Sequence, residues 1–198
     1  MSRSAPEAFH ALDLRCHALL HDVPLHDVWL IELAGGGPER TMRDVGAVFA
    51  TQRPSLPVRA LFGLRRVLGR MFRLDGPRGE APSADSYVGR LNDDDRARSQ
   101  VPPGSMLGPF RALYVFDHEA LLEARNATVH AFLAAALRPR SDGYALYAAV
   151  CVKPVGPITP VYMALIDPFR RLIVYPSLIR QVRAAWDRLP AEQSREVP

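Results

Sequence analysis

The chain has 198 residues, of which 48% are hydrophobic and 23% charged, and it carries a net charge of +4. This length accommodates one domain with a full core. The composition excludes disorder, which requires low hydrophobicity and high net charge. Lys153 is the one lysine among 25 basic residues, and no dense basic block with interleaved aromatics occurs, so no nucleic-acid partner is expected.

Residues 1–7 lack the apolar core of a signal peptide. Apolar positions at Phe9, Leu12, Leu19 and Leu20 predict a short helix over 7–21. Residues 26–33 read as a strand, with Val28, Leu30 and Glu32 on one face and Trp29, Ile31 and Leu33 on the other. Gly35-Gly36-Gly37-Pro38 ends that strand as a turn. A second short helix is predicted over 41–50, with Thr41 as N-cap and Asp44 three residues on. Residues 58–74 show the clearest amphipathic pattern. Leu61, Leu64, Leu68, Met71 and Phe72 form the apolar stripe, and Arg59, Arg65, Arg66, Arg70 and Arg73 occupy other positions. Gly- and Pro-rich loops are predicted over 75–86 and 92–109, the second including Asp93-Asp94-Asp95.

The second half reads as an antiparallel meander. Residues 113–116 are rich in aromatic and β-branched types, and 120–125 continue after a bend at Asp117-His118-Glu119. Residues 128–137 and 144–153 alternate in face, with Val129, Ala131, Leu133, Ala135 and Leu137 on one side of the first and Tyr144, Leu146, Ala148, Val150 and Val152 on one side of the second, and they are joined by a hairpin-like connection over 138–143. Helical spacing returns over 159–189, in the stripes Tyr162, Leu165, Ile166, Phe169 and Leu178, Ile179, Val182, Trp186. Pro168 and Pro176 each remove a backbone donor and divide or kink that helix. Asp167, Arg170 and Arg171 interrupt the late apolar stretch, which falls short of the ~20 apolar residues a membrane span needs. A cytoplasmic protein without a membrane span is the expectation.

This order of elements predicts one α+β domain over 1–198, with a core over 26–189. The architecture expected is helix-grip-like: a curved antiparallel sheet packed on a long kinked C-terminal helix. Three stretches carry a family resemblance: His26-Asp27-Val28-Trp29, the arginine-rich segment 58–74, and Ile166-Asp167-Pro168-Phe169-Arg170-Arg171-Leu172-Ile173-Val174. Over roughly 26–186 the chain resembles domain-of-unknown-function family 2867. Members with the last run often have His where this chain has Arg170. The resemblance implies a fold similar to the START and Bet v 1-like superfamily, whose members often bind apolar small molecules. Some members follow a short-chain-dehydrogenase-like NAD-binding domain. The partners expected are therefore a small apolar ligand and either a second copy of the chain or an NAD-binding domain. Gly35-Gly36-Gly37 lacks the G-x-G-x-x-G spacing of a dinucleotide site, and no cofactor is expected.

Metal chemistry has little to build on. His17 and His21 share a helix face near Cys16 and Asp22, but Ala18 stands where a zincin has Glu. Cys16 and Cys151 form no CxxC pair. Asp93-Asp94-Asp95 lacks the EF-hand pattern, and Ser105 forms no G-x-S-x-G. Proton transfer has two candidates, His130 in mid-strand and Asp167 in the closing helix; the bland readings are an outward-facing His130 and a helix-capping Asp167. The alanine-rich strands leave volume for a ligand or for a tightly packed helix, and Tyr114, Phe116, Phe132, Tyr147 and Tyr162 are candidates to line a pocket. Three functions follow as expectations: a binder of a small apolar or amphipathic ligand, an isomerase- or cyclase-type enzyme in the same cavity, and an interaction module using the arginine-rich segment 58–74.

Overall fold

The computed structural model describes residues 6–37, 39–50, 85–125, 129–156, 163–164, 167–168, 171–172 and 175–189. The arginine-rich segment 58–74, the loop predicted over 75–84 and Tyr162 lie outside the described residues. In chain order the described elements are α1 (Pro6–His10), α2 (Arg15–Leu19), β1 (Leu25–Ala34), α3 (Met42–Ala50), a 3-10 turn (Tyr87–Arg90) and α4 (Asp93–Arg98). They continue as β2 (Met106–Leu107), β3 (Phe110–Val115), β4 (Glu119–Arg125), β5 (Val129–Arg140), β6 (Gly143–Pro154) and α5 (Tyr175–Trp186).

The six strands form one curved antiparallel sheet in the order β1-β6-β5-β4-β3-β2. Strands β3 to β6 are the predicted meander, β1 adds to one edge beside β6, and β2, within the loop predicted over 92–109, adds to the other beside β3. The register shifts between Leu25 and Asp27 in β1 and between Ala112 and Tyr114 in β3. Such bulges add local twist and bend to a sheet. Helices pack on both faces of this sheet, so apolar residues stand on both sides of β1, β5 and β6.

One face meets the N-terminal helices. Val28, Tyr114, Leu121, Phe132, Ala134 and Cys151 pack there against Phe9, Leu14, Cys16, Leu19 and Tyr87. The opposite face meets α3 and α5. Trp29, Ile31, Leu33, Leu137 and Leu146 pack there against Val45, Val48, Ile179, Val182 and Trp186. The predicted stripe of α5 is therefore its buried side, and Pro176 falls in its first turn, where no backbone donor is required.

Local chemistry explains several boundaries. The predicted helix over 7–21 is two short helices with Leu14 extended between them. Thr41 caps α3 as expected: its Oγ1 accepts from the Arg43 amide at 3.2 Å, and Asp44 accepts from the Thr41 amide at 2.9 Å. The loop expected over 92–109 is corrected at Asp93–Arg98, which forms α4. Asn92 accepts from the Asp95 amide at 2.7 Å, and Asp95 accepts from the Asn92 amide at 3.2 Å. That reciprocal box, with acidic residues in the first turn and arginines in the last, favours a helix over a solvated acidic loop.

The outer edge of β1 is partly occupied by α5. Arg183 Nε donates to the Glu32 carbonyl at 3.1 Å and Trp186 Nε1 to the Ala34 carbonyl at 3.2 Å. Covering edge carbonyls in this way blocks pairing with another strand. The Gly35-Gly36-Gly37 turn makes room for that contact. At Gly36, φ is +102°, and an added Cβ would lie 3.0 Å from Trp186 Cζ2. No described helix is long and apolar enough to cross a membrane.

Candidate functional site

Buried polar groups occur on both faces of the sheet, and their partners separate structural roles from candidate chemistry. On the N-terminal face, β4 directs Glu119 and Glu123 inward. Glu119 accepts from the backbone amides of Arg15 at 2.9 Å and Cys16 at 2.8 Å, and from the Tyr114 hydroxyl. It thereby supplies α2 with the N-terminal acceptor that Leu14 cannot provide. Glu123 does the same for the 3-10 turn, accepting from the Tyr87 amide at 3.1 Å and from the Ser86 hydroxyl. Two carboxylates of one strand thus anchor two covering segments.

His130 belongs to this second anchor. Its Nε2 donates to Glu123 Oε2 at 3.3 Å, and its ring lies between Tyr87 and Phe132, at centroid distances of 5.4 and 4.4 Å. Both side chains of the pair are 5% exposed. Burial raises the Glu123 pKa, but hydrogen bonds from His130, Ser86 and the Tyr87 amide outweigh it and hold the carboxyl below its ordinary value. Beyond Tyr87, Asp22 accepts from its hydroxyl at 2.9 Å, from Lys153 at 3.0 Å and from Arg90 at 2.6 Å. The cations around Asp22, Arg90 foremost, keep its carboxyl well below the usual range.

The aromatic candidates share this face. Tyr114 stacks on Phe116 at 4.2 Å, Phe132 is 1% exposed and Tyr147 packs against the same cluster. The structure therefore brings four of the five together, but against the N-terminal helices, on the opposite face from α5. Tyr114 is fully buried, and its pKa is pushed far up by burial and by Glu119. Burial likewise raises the thiol of Cys16, and pushes that of Cys151 up to about 11. Neither cysteine is activated.

Asp167 enters a different cluster. His26 Nε2 donates to both of its oxygens, at 3.0 and 3.1 Å. Arg171 lies 3.5 Å from Asp167 and 4.0 Å from Asp27, whose side chain is 1% exposed. His26 and Asp167 are 24% and 20% exposed, and Arg171 is 44% exposed. The contacts of Arg171 are longer than the ~2.7–2.9 Å of a tight charge-assisted bond, so its donors remain available to other groups. The bulge at Leu25/Asp27 positions this corner, where β1 begins. Hydrogen bonds thus join the His26-Asp27 stretch to the Asp167 run across 141 residues of sequence.

Next to that corner lies an apolar floor, with two alanines at its centre, on the α5 side of the sheet. Asp27 pairs with Val150 and Trp29 with Ala148; Ala148 pairs with Ala135, Val150 with Leu133 and Leu133 with Leu122. Leu122, Leu133, Ala135, Ala148 and Val150 are all half-buried in mid-sheet. Trp29 stands at the border, 9% exposed, with its ring 4.6 Å from Tyr175.

His17 of α2 and His21, in the turn after it, do not converge on a metal. His17 packs edge-on against Phe9 at 5.0 Å, while His21 contacts the Ala18 carbonyl at 3.0 Å. Among the described residues no group of three potential ligands could hold a metal ion. A groove of about 430 Å³ near the end of β1 places the three carboxylates of Glu32, Asp142 and Asp187 beside the two guanidinium groups of Arg140 and Arg183.

Reading the sequence alone missed His26 and Arg171 as chemistry, and Ser86, Tyr87 and Glu123 as partners of His130. No local spacing encodes these pairings; the shared membership of His26 and Asp167 in two distinctive runs is the one signal that points to them. No curated protein and no solved structure matches the chain. Residues 19–177, well over half of the chain, match a family described as "Protein of unknown function (DUF2867)", and the chain belongs to that family.

Proposed function

We propose that the protein binds a small, largely apolar molecule on the α5 side of its sheet. The molecule's body would rest on the floor around Ala135 and Ala148, and its polar end at His26, Asp167 and Arg171. The observation that carries this reading is the band of half-buried aliphatic residues in mid-sheet, bordered by a polar corner. Pockets for small molecules combine an apolar lining with a few convergent polar groups. A helix-grip arrangement, with a sheet wrapping its closing helix, suits such an occupant. The aromatic set of Tyr114, Phe116 and Phe132 is packed against the N-terminal helices, so the proposed site moves to the other face.

The test uses the neutral dye phenyl-naphthylamine, which brightens in apolar surroundings. Wild-type protein should bind it, and Ala135→Leu with Ala148→Leu should abolish binding while retaining the far-UV spectrum and cooperative melting. Absence of dye binding by wild-type protein, or full binding by the filled variant, would overturn the proposal.

The pairing of His26 with Asp167 favours a second reading, an isomerase- or cyclase-type enzyme at the same place. A carboxylate that fixes the imidazole leaves the other ring nitrogen free to exchange protons with a ligand. Wild-type protein should then catalyse proton exchange into apolar ketones in heavy water, and His26→Gln and Asp167→Asn should each lose it. Equal exchange in all three proteins would exclude this reading.

A further inference from the structure

His17 of α2 is half-buried, but its Nε2 is fully buried and has no hydrogen-bond partner among the described residues. Two rings of α1 lie against it: Phe9 meets it edge-on at 5.0 Å, and His10 lies at 5.4 Å. Phe9 is 2% exposed and fastens α1 to the same core as Tyr114 and Phe116. A helix of five residues is held by such packing, since its own hydrogen bonds are too few to sustain it.

Protonation acts on this contact. A neutral imidazole can keep Nε2 as a bare acceptor, but an imidazolium carries an N–H at both ring nitrogens. The Nε2–H is then a buried donor on a cation with no acceptor, beside a second histidine that gains charge in the same pH region. Two carboxylates favour the cation. Asp13 stands between α1 and α2, where its carbonyl accepts from Arg138 of β5 at 3.3 Å. Glu119 of β4 is already engaged by the Arg15 and Cys16 amides and the Tyr114 hydroxyl. Burial and the neighbouring His10 outweigh both and hold the His17 pKa below its ordinary value. Displacing α1 lets Nε2 meet water, so acid favours the displaced arrangement.

We propose that His17 makes α1 a pH-sensitive cover of the N-terminal face, docked at neutral pH and released on mild acidification so that Phe9 leaves the aromatic core. This device lies on the face opposite the proposed ligand floor and does not depend on it. Because the docked pKa is depressed, the contribution of a neutral His17 to docking is complete above the undocked value of about 6.5. It is lost progressively as pH falls from there towards the lower docked value, and the population of the open form rises by at most about tenfold per pH unit.

The experiment follows amide hydrogen exchange of Ala11 and Leu12, which donate to the Glu7 and Phe9 carbonyls and so report on α1. Rates are corrected for the intrinsic pH dependence of exchange. Between pH 7.5 and 5.5 wild-type protein should lose protection at both amides several-fold, by up to about tenfold, while amides of β5 and β6 keep theirs. His17→Phe keeps an aromatic ring that does not titrate, and its α1 amides should be equally protected at both pH values. Unchanged protection in wild-type protein, or the same loss in His17→Phe, would overturn the proposal. So would a matching loss in β5 and β6, which would mark global unfolding. A second measurement needs no variant. In an NMR titration of wild-type protein, the His17 ring should titrate with a midpoint below about 6.5, over the range in which α1 loses protection. A midpoint at or above that value would equally refute the device.

Discussion

Glu123→Gln separates a structural from a catalytic role for the buried Glu123–His130 pair. The carboxylate accepts from the Tyr87 amide, the Ser86 hydroxyl and His130 Nε2, and the side chains of Glu123 and His130 are both 5% exposed. Glutamine keeps one acceptor oxygen and places an NH₂ where the other stood, so at least one of these donors loses its partner. A hydrogen bond to a charged group contributes about 1.5–3 kcal/mol, and an unsatisfied buried donor costs about 1–3 kcal/mol. The expected loss is therefore about 2–3 kcal/mol, or roughly 4–12 °C in melting temperature for a chain of this size. Urea unfolding followed by tryptophan fluorescence at neutral pH measures it directly. The folded pKa of Glu123 is depressed, so its contribution is fully present above the unfolded value of about 4.3 and is lost as pH falls through the folded value. The gap between wild type and variant should thus be complete at pH 7 and begin to close below about pH 4.3. Buried charges kept for catalysis commonly cost stability, and replacing them raises it. A Glu123→Gln protein as stable as wild type, or more so, would refute the structural assignment.

Further consequences follow from other contacts. Arg15 donates to Asp95 through Nε at 2.9 Å and Nη2 at 2.8 Å, and Asp95 also closes the capping box of α4. Asp95→Ala should lower stability by about 2–4 kcal/mol, and a double-mutant cycle with Arg15→Ala should return a coupling of about 1–2 kcal/mol, reduced because Arg15 is a third exposed. Gly36→Ala combines a left-handed backbone with a Cβ 3.0 Å from Trp186 and should cost about 2–3 kcal/mol, read as a shift in the urea midpoint at constant slope. Cys16 and Cys151 are buried with raised pKa values, so a thiol reagent at pH 8 should leave both unmodified in native protein and label both in urea.

Most strands were legible because their local patterns survive in the fold. The alternation of 128–137 and 144–153 predicts β5 and β6, which pair throughout from Val129↔Pro154 to Arg140↔Gly143. Only residues 141–142 separate these strands, fewer than the predicted connection, because β5 continues through Pro139. The stripe of Ile179, Val182 and Trp186 predicts the buried side of α5 for the same reason. Helix α4 was not legible as one: a run of three aspartates suggests a solvated loop until Asn92 and Asp95 are seen to satisfy each other's amides. Which face of β5 is more deeply buried was equally hidden. His130 and Phe132 lie opposite the wholly apolar face, where an outward-facing His130 is the bland expectation, yet the N-terminal segments cover them, with Tyr87 and Glu123 against His130. Such partners come from distant segments, and periodicity within a strand carries no information about them.

The two faces of the sheet use carboxylates in opposite ways, and that contrast is the reason for proposing a site on the α5 side. On the N-terminal side Glu119 and Glu123 are each saturated by backbone amides and neighbouring side chains. A carboxylate so engaged fixes helices in place and has few lone pairs left for a ligand. On the α5 side, Asp167 holds an imidazole and a guanidinium that remain partly exposed, beside small side chains that leave their own strands half-covered. Rigid anchoring of one face stabilises the sheet on which the other presents its groups, and preorganised polar groups on a rigid support are what selective binding requires. If the division holds, substitutions at Glu119 and Glu123 will move stability and leave dye affinity unchanged, while His26→Gln and Arg171→Ala will change affinity at nearly constant stability. Finding both sets to act on the same quantity would dissolve the distinction.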